Sequence, residues 1–249
     1  NFSDLPLNYA LDSEGRELII HLDFLERPID IRVWKAKAGH INLYLLDSDL
    51  TSNLQKYREI TYRLYGGDKH TRILQEIILG IAGVRTLRAL GIQPSAWHIN
   101  EGHAAFQILE RCAEFRLGGM AFHQALEYVA ATTVFTTHTP VAAGHDIFEQ
   151  AIIQSYLASY CQANKIDWQE FLQLGSSPGY ETSFNMTALA LRGSRFHNGV
   201  SKIHGRVSAE MESFIWPQIP PQYNPIGYVT NGVHLPTFFV HRRGRVATL

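Results

Sequence analysis

The spacing of apolar residues changes near residue 68, from the period of strands to the period of helices. Three earlier runs, at residues 17–23, 29–34 and 41–46, alternate or are β-branched, and turn residues separate them. These runs predict an antiparallel meander. From Asp68 onward, apolar residues recur every three to four positions, which predicts a helix with Asp68 as its N-cap and Gly91 just after its end.

The rest of the chain alternates short strands with helices. Strands are predicted at residues 95–100, 132–137, 196–201 and 226–230. Strands that alternate with helices are joined by right-handed crossovers into a mostly parallel sheet. The sequence therefore predicts an α/β fold, a Rossmann-like and mostly parallel sheet with flanking helices. Those helices are predicted at residues 102–117, 122–129, 147–174 with a second part from Asp167, 186–192 and 202–214.

Composition and charge narrow the class of protein. With 249 residues, 45% of them apolar and 18% charged, the chain can bury a substantial core and is neither disordered nor a coiled coil. A formal net charge of −1 gives no basic field for nucleic acid or an anionic membrane. Cys112 and Cys161 stand outside any disulfide framework, and no apolar run approaches the roughly 18 residues that span a bilayer. We expect a cytoplasmic protein without nucleic-acid or membrane partners.

Candidate chemistry gathers where the predicted strands end. In a parallel sheet, ligands bind outside the carboxyl ends of the strands. Three strands end in the polar turns WHINEGH, FTTHTP and VTNGVH, whose amides, carboxylate and imidazoles suit a neutral polyhydroxylated ligand. For any single histidine, a structural role in a helix cap or the core is the alternative. The candidate residues are Asn100, Glu101, His103, His138, Thr139, Asn231 and His234.

Two further motifs suggest other chemistry. His98 and His103 flank a glutamate, but they straddle a strand-to-helix turn instead of sharing one helix face, so no metal site is predicted. Residues 175–179, GSSPG, match G-x-S-x-G, yet a helix end precedes them and Pro178 follows the second serine, which favours a loop. A metal-dependent or serine hydrolase built on these turns stays open as an alternative, and it would release free sugar.

Five long segments stand out in order along the chain: LYGGDKHTRILQEIILGIAGVRTLRALGI, AWHINEGHAAFQILE, FTTHTPVAAGHDIF, FNMTALALRGSRFHNGVSKIHG and PIGYVTNGVHLPT. They resemble consecutive blocks of the α-glucan phosphorylases, the glycogen, starch and maltodextrin phosphorylase family, in its shorter prokaryotic form. The resemblance implies part of the N-terminal lobe of a two-Rossmann-domain glycosyltransferase. It implies reversible phosphorolysis of terminal α-1,4-glucosyl units to glucose 1-phosphate, with pyridoxal phosphate on a lysine of the C-terminal lobe that is not in this chain.

The same resemblance implies roles for individual residues. The implied catalytic residues are His138, in contact with the glucosyl residue, and Asn231, hydrogen-bonded to a sugar hydroxyl. The implied substrate-binding residues lie on the glucan acceptor side or beside the cleft. They are Asp68, Glu101, His103 and Thr139.

The resemblance further implies that the chain is a partial lobe. Residues 1–240 would belong to the N-terminal glucan-binding and catalytic lobe, with a β-rich section at 1–50, while 241–249 form a basic tail that does not align with the family. Such a fragment is expected to be inactive alone. Its implied partners are α-1,4-glucan, inorganic phosphate, the missing lobes of the parent and a second parent molecule in a homodimer. A non-catalytic glucan-binding module is the alternative.

Overall fold

A small antiparallel sheet comes first along the chain. A computed structural model describes residues 6–64, 66–139, 141 and 144–233, and the predicted tail at 241–249 lies outside them. The central strand β3 pairs with β4 along one edge, and with β1 and β2 end to end along the other. The β2–β3–β4 part confirms the predicted meander, whereas β1 is too short to show alternation in the sequence. The strands are β1 (Leu7–Tyr9), β2 (Ile19–Leu22), β3 (Ile29–Ala38) and β4 (Ile41–Asp47).

A four-stranded parallel sheet forms the second part. Six strands follow along the chain: β5 (Trp97–Asn100), β6 (Thr133–Thr137), β7 (Ile147–Glu149), β8 (Ser183–Asn185), β9 (Phe196–Gly199) and β10 (Ile226–Tyr228). The sheet has the order β10-β9-β6-β5, and every neighbouring pair is parallel. This arrangement, with helices packed on it, confirms the predicted α/β class.

Nine α-helices connect and cover these strands in the described part of the chain. Asp68 caps the predicted helix and Gly91 follows its end with φ of +70°, so both boundaries are confirmed. Within the described residues, no helix combines the length and the apolar character that a membrane crossing requires. The helices are α1 (Gln55–Arg58), α2 (Lys69–Ile77), α3 (Gly83–Ala89), α4 (Phe106–Leu117), α5 (Phe122–Ala131), α6 (Gln150–Ala163), α7 (Trp168–Leu174), α8 (Met186–Arg192) and α9 (Lys202–Met211).

Helices α2 and α3 continue one another through a π-helical segment, Ile78–Ala82. Gly80 lies in this segment. A Cβ atom there would approach the Gln107 backbone nitrogen and the Phe106 Cβ to 2.8 Å, so only glycine allows α4 to pack this closely. The close approach sets α2 beside the turn that precedes α4.

The structure differs from the sequence prediction at residues 147–149, which form strand β7 instead of the start of a helix. β7 pairs antiparallel with β8, and neither strand was predicted from the sequence. Phe148 and Phe184 are buried opposite each other, and this tertiary contact outweighs local preference in strands too short to show a period. The pair carries the chain from the loop after β6 to the start of α8, which positions the candidate site.

Candidate active site

The turns that follow the parallel strands lie along one edge of the sheet. Backbone pairing continues past the strand ends, because the Glu101 N–H donates to a β6 carbonyl at 3.0 Å and the Asn231 N–H donates to the carbonyl just after β9 at 3.3 Å. The turn after β5 is thereby fixed beside β6, and the turn after β10 beside β9. The structure thus brings Glu101, His138 and Asn231 to the same edge, whereas His234 lies outside the described residues.

The Glu101 carboxylate braces the turn after β6. Its Oε1 accepts hydrogen bonds from the His138 backbone N–H, from the Thr139 hydroxyl at 3.2 Å and from the Thr137 hydroxyl at 3.4 Å. Hydrogen bonds to a charged acceptor are stronger than neutral ones. Glu101 therefore fixes the position of His138 and Thr139, in addition to any contact with a ligand.

The backbone at Glu101 is strained. Its φ of +62° lies in the left-handed region that residues with a Cβ rarely occupy, at a cost of roughly 1–3 kcal/mol. The next residue, Gly102, packs against the start of α8, where a Cβ would lie 3.0 Å from the Met186 Cβ. The strained turn is held by this close packing, and strain of this kind clusters at functional sites.

A second group of residues joins α2 to the turn after β5 and to the loop after β6. We call Arg72, Glu76, His103 and Asp146 the Arg72 cluster. Arg72 Nη2 donates to Asp146 Oδ2 at 2.6 Å, and His103 Nδ1 lies 3.1 Å from the same oxygen. Burial opposes ionisation of Asp146, but the neighbouring His103, Glu76 and Arg72 groups outweigh it and lower its pKa to about 2. Complete burial, with the Asp146 carboxylate close by, raises the pKa of Glu76 well above its usual range.

The Arg72 cluster offers ligand types that suit a metal ion, since one atom each of Glu76, His103 and Asp146 lies within 4.8 Å of the others. The Arg72 guanidinium, however, stands 2.6 Å from Asp146, 3.4 Å from His103 and 3.6 Å from Glu76. A fixed cation already balances the carboxylate charge there. The cluster therefore presents guanidinium, imidazole and carboxylate groups of the kind that bind sugar hydroxyls.

Asp68 lies at the start of α2, next to this cluster. Its carboxylate accepts from the Thr71 N–H at 2.8 Å and the Thr71 hydroxyl at 3.0 Å, and these bonds lower its pKa. Gly67 has a φ of +87°, and a Cβ there would meet the Thr71 side chain at 2.6 Å, so the tight LYGGD turn requires glycine. Lys69 Nζ donates to the Ile147 carbonyl at 3.0 Å, which holds the start of α2 beside the loop after β6.

Consecutive residues of that loop contact different elements. The Asp146 side chain joins the Arg72 cluster, and the Asp146 carbonyl accepts from the Met186 N–H at 3.0 Å. The His145 side chain instead faces Glu212, just after α9, with His145 Nδ1 3.6 Å from Glu212 Oε1. Burial lowers the pKa of His145 and raises that of Glu212 to about 7.

Other histidines have structural partners. His98 Nε2 lies 2.7 Å from the Thr136 hydroxyl, which donates to Asn198 Oδ1 at 3.0 Å, so these residues form a polar row across the sheet. His197 Nε2 lies 3.0–3.1 Å from two carbonyls at the end of α8 and just after it. His98 and His103 do not converge on one ligand, because His103 belongs to the Arg72 cluster.

Sequence reasoning missed five residues of this region. Arg72 and Asp146 lie inside segments that resemble the phosphorylases. A charged residue close to such a motif is the feature of the sequence that could have identified them. Glu76 looks like an ordinary polar position on a helix. His145 and Glu212 are distant in sequence, and nothing in the pattern of residues links them.

The chain is similar in sequence to curated proteins named as phosphorylases. It is 40% identical to a maltodextrin phosphorylase of Thermococcus litoralis over 96% of this chain, and 39% identical to a glycogen phosphorylase of Mycobacterium tuberculosis over 94%. It is 35% identical to a glycogen phosphorylase of Aquifex aeolicus, again over 94% of this chain. The resemblance to the α-glucan phosphorylases is therefore confirmed.

The chain spans only part of these relatives. It covers 28% of the Thermococcus and Mycobacterium proteins and 34% of the Aquifex protein. No family model matches the chain.

Proposed function

Because this chain is related over nearly its whole length to a section of the α-glucan phosphorylases, we propose that it forms part of a glycosyltransferase of that kind. The reaction would be reversible phosphorolysis of a terminal α-1,4-glucosyl unit to glucose 1-phosphate, with α-1,4-glucan and inorganic phosphate as substrates. The observation that carries the proposal is the convergence of the Glu101-braced turn and the Arg72 cluster beside the carboxyl edge of the parallel sheet. We propose a cytoplasmic setting, consistent with two buried free thiols, Cys112 and Cys161.

His138 and Asn231 would bind the glucosyl unit that is transferred. The His138 N–H donates to Glu101, so the imidazole and the carbonyl oxygen are the groups that it can offer to a sugar. The Asn231 amide can donate to one hydroxyl and accept from its neighbour. Both residues stand on turns fixed by backbone pairing, which favours a sugar bound in one orientation.

The acceptor part of the glucan would lie against the Arg72 cluster. His103 belongs to the cluster, Glu101 and Thr139 would contact the glucan from the neighbouring turns, and Asp68 would approach it from the start of α2. Arg72 donors and the Asp146 carboxylate can pair with hydroxyls of successive glucose units. This assignment keeps the substrate-binding residues implied by the resemblance and adds Arg72 and Asp146 from the geometry.

Pyridoxal phosphate would be held elsewhere in the enzyme. When bound, this cofactor supplies a phosphate group beside the substrate phosphate for proton transfer. All six lysines of the chain lie within the described residues, and none is buried. A lysine activated for Schiff-base chemistry is desolvated, so the lysines of this chain do not fit that site. The chain's own contribution is to bind and orient the glucan.

Residues 1–240 would then pack against further parts of the enzyme, with 1–50 as a β-rich section, and the whole enzyme would form a homodimer. Two exposed apolar surfaces support such packing. Phe196 is 59% exposed on one face of the parallel sheet, although parallel sheets are usually covered on both faces. Ile41, Leu43 and Leu45 are exposed along one face of β4.

Phosphorolysis by the whole protein tests the proposed function. With maltodextrin and phosphate, we expect glucose 1-phosphate as the product. His138→Ala and Asn231→Ala should each lower kcat/KM by about 10- to 100-fold, the effect of one lost hydrogen bond in the transition state. Asn42→Ala, an exposed amide on β4 away from the site, is the matched control and should leave the rate unchanged.

Two results would contradict the proposal. Free glucose as the product, formed without phosphate, would indicate the hydrolase alternative. Wild-type rates in both site variants would refute the roles of His138 and Asn231.

A glucan-binding module is the second candidate, and the absence of a buried lysine from this chain favours it. In this case the chain would bind maltoheptaose without catalysing any reaction. Titration of the 249-residue chain with maltoheptaose, followed by NMR, should shift the resonances of His103 and His138. Turnover by this chain alone with added pyridoxal phosphate would exclude a purely binding role.

A further inference from the structure

The pair formed by His145 and Glu212 is buried but incompletely satisfied. Both side chains are 2% exposed, and their nearest polar atoms are 3.6 Å apart, beyond normal hydrogen-bond distance. His145 Nε2 and Glu212 Oε2 have no hydrogen-bond partner among the described residues. Such groups destabilise a fold, and an apolar pair of similar volume would join the loop to α9 more stably. The pair therefore needs an explanation other than stability.

The position of the pair relates it to the candidate site. His145 precedes Asp146, the residue that binds Arg72 and lies against His103. Glu212 follows α9, where its N–H donates to the Ser208 carbonyl at 2.9 Å. His145 therefore faces a fixed helix end on one side, while its neighbour reaches into the Arg72 cluster on the other.

The charges around the pair belong to the site itself. Glu101 from the turn after β5 and Asp146 from the loop both favour the protonated form of His145, against the effect of burial. Burial and then Glu101 raise the pKa of Glu212. Arg72 is paired with Asp146. A change of charge on the pair therefore alters the electrostatic potential at Glu101 and Asp146, the carboxylates that hold the His138 backbone and Arg72.

We propose that His145 and Glu212 are positioning residues that act as a buried pair and orient Asp146 for binding of the acceptor glucan. This proposal rests on the proposed function. While Glu212 keeps its proton, the pair carries no net charge and the loop is held against the end of α9. Loss of that proton places a carboxylate near Glu101 and Asp146, and the loop is held less firmly.

Kinetics of the whole protein separate positioning from general stability. His145→Leu should raise the KM for maltodextrin by about 10-fold, as expected when one charge-assisted hydrogen bond is displaced, and leave the KM for phosphate unchanged. In the wild type, the KM for maltodextrin should rise between pH 6 and 8, where Glu212 loses its proton. Glu212→Gln keeps the shape and a donor, so it should have the wild-type KM at pH 6 and show no such rise. The matched control is His197→Leu, because His197 is also largely buried with an unpartnered ring nitrogen but lies in β9, away from the loop. The control should lower stability without changing either KM.

An unchanged maltodextrin KM in folded His145→Leu, or an equal rise in the His197→Leu control, would overturn the proposal. A second measurement does not depend on catalysis. In protein labelled with ¹⁵N-histidine, the His145 ring resonance should show a step near pH 7, where Glu212 titrates, and Glu212→Gln should remove it. The same His145 titration in both proteins would refute coupling between His145 and Glu212. If the wild type forms no glucose 1-phosphate but the step is present and sensitive to Glu212, the proposed function fails while the coupling of the pair stands.

Discussion

Two buried glutamates beside arginines differ in how their carboxylates are satisfied. Glu110 of α4 accepts from Arg85 Nε at 2.8 Å and from the Tyr160 hydroxyl at 2.6 Å. Glu76 of α2 is 1% exposed, and neither of its oxygens has a hydrogen-bond partner within the residues that the structure describes. Its arginine, Arg72, stands 3.6 Å away and donates elsewhere.

The difference separates a structural network from a binding site. Arg85 also donates to the His21 carbonyl at 2.9 Å, so the Glu110 network ties the small sheet to α4 with its donors and acceptors paired. In the Arg72 cluster, by contrast, both oxygens of Glu76 lack a hydrogen-bond partner among the described residues, at the edge where the polar turns gather. Buried polar groups that the protein leaves incompletely satisfied are often explained by a ligand or a catalytic role.

The largest expected effect lies in the structural network. Glu110→Leu would leave the buried Tyr160 hydroxyl without its acceptor and Arg85 without its buried carboxylate partner, so the free energy of unfolding should fall by about 3–5 kcal/mol. Denaturant unfolding measures this change, and kcat/KM per folded molecule should stay at the wild-type value. A loss of stability below about 1 kcal/mol would show that the two clusters do not differ in this way.

The next effect concerns activity. Asp146→Asn removes the charge that pairs with Arg72, and it should lower kcat/KM for maltodextrin per folded molecule by about 10- to 100-fold. Some stability should be lost as well, because the lowered pKa of Asp146 stabilises the folded state at neutral pH. The matched control is Asp49→Asn, because Asp49 accepts from Arg58 at 2.7 Å far from the parallel sheet. Equal activities of the two variants would argue against binding by the Arg72 cluster.

The dependence of the free energy of unfolding on pH distinguishes the carboxylates of the site from carboxylates with ordinary pKa values. The pKa of Glu212 is about 7 in the folded chain and 4.5 in the unfolded chain, so the folded state binds more protons between these values. The free energy of unfolding should therefore fall as pH rises through this window, by on the order of 3 kcal/mol in total. Asp146, with its folded pKa of about 2, acts in the opposite sense, and its stabilisation is lost as pH falls below 3.8.

Glu212→Gln is the variant that checks this assignment, since glutamine does not titrate. The slope of unfolding free energy against pH should flatten between 4.5 and 7 in this variant. An unchanged slope would assign the effect to other groups.

The smallest effect is expected at Glu76. Burial and the adjacent Asp146 raise the pKa of Glu76 well above its usual range and so favour its protonated form, with which Glu76→Gln is close to isosteric. We expect a change in unfolding free energy within about 0.5 kcal/mol at pH 5 and a gain at higher pH, where the wild type loses a proton. A destabilisation as large as that of Glu110→Leu would show that Glu76 is ionised and paired.

Much of the fold could be predicted because it depends on local periodicity. The strands at Trp97–Asn100 and Thr133–Thr137, and the helix capped by Asp68, were predicted from short-range patterns. The three-residue strands β1, β7 and β8 were missed because their pairing depends on a distant partner. Their apolar residues carry no period that the sequence alone reveals.

The candidate site was predicted in part. Polar turns at strand ends identified Glu101, His138 and Asn231, since parallel strands bring their carboxyl ends to one edge. The contact from Glu101 to the His138 backbone, and the Arg72 cluster, could not be predicted. They depend on which side chains the packing of α2 and the loop after β6 brings within hydrogen-bond distance.

The sequence by itself determined the class of fold, the family resemblance and the turns that carry the chemistry, because these follow from periodicity and contiguous motifs. Only the tertiary structure decided which carboxylates hold a neighbouring turn in place, which are buried and protonated, and which face an arginine. Hydrogen bonding and burial depend on distances between residues remote in sequence, and those distances exist only once the chain has folded.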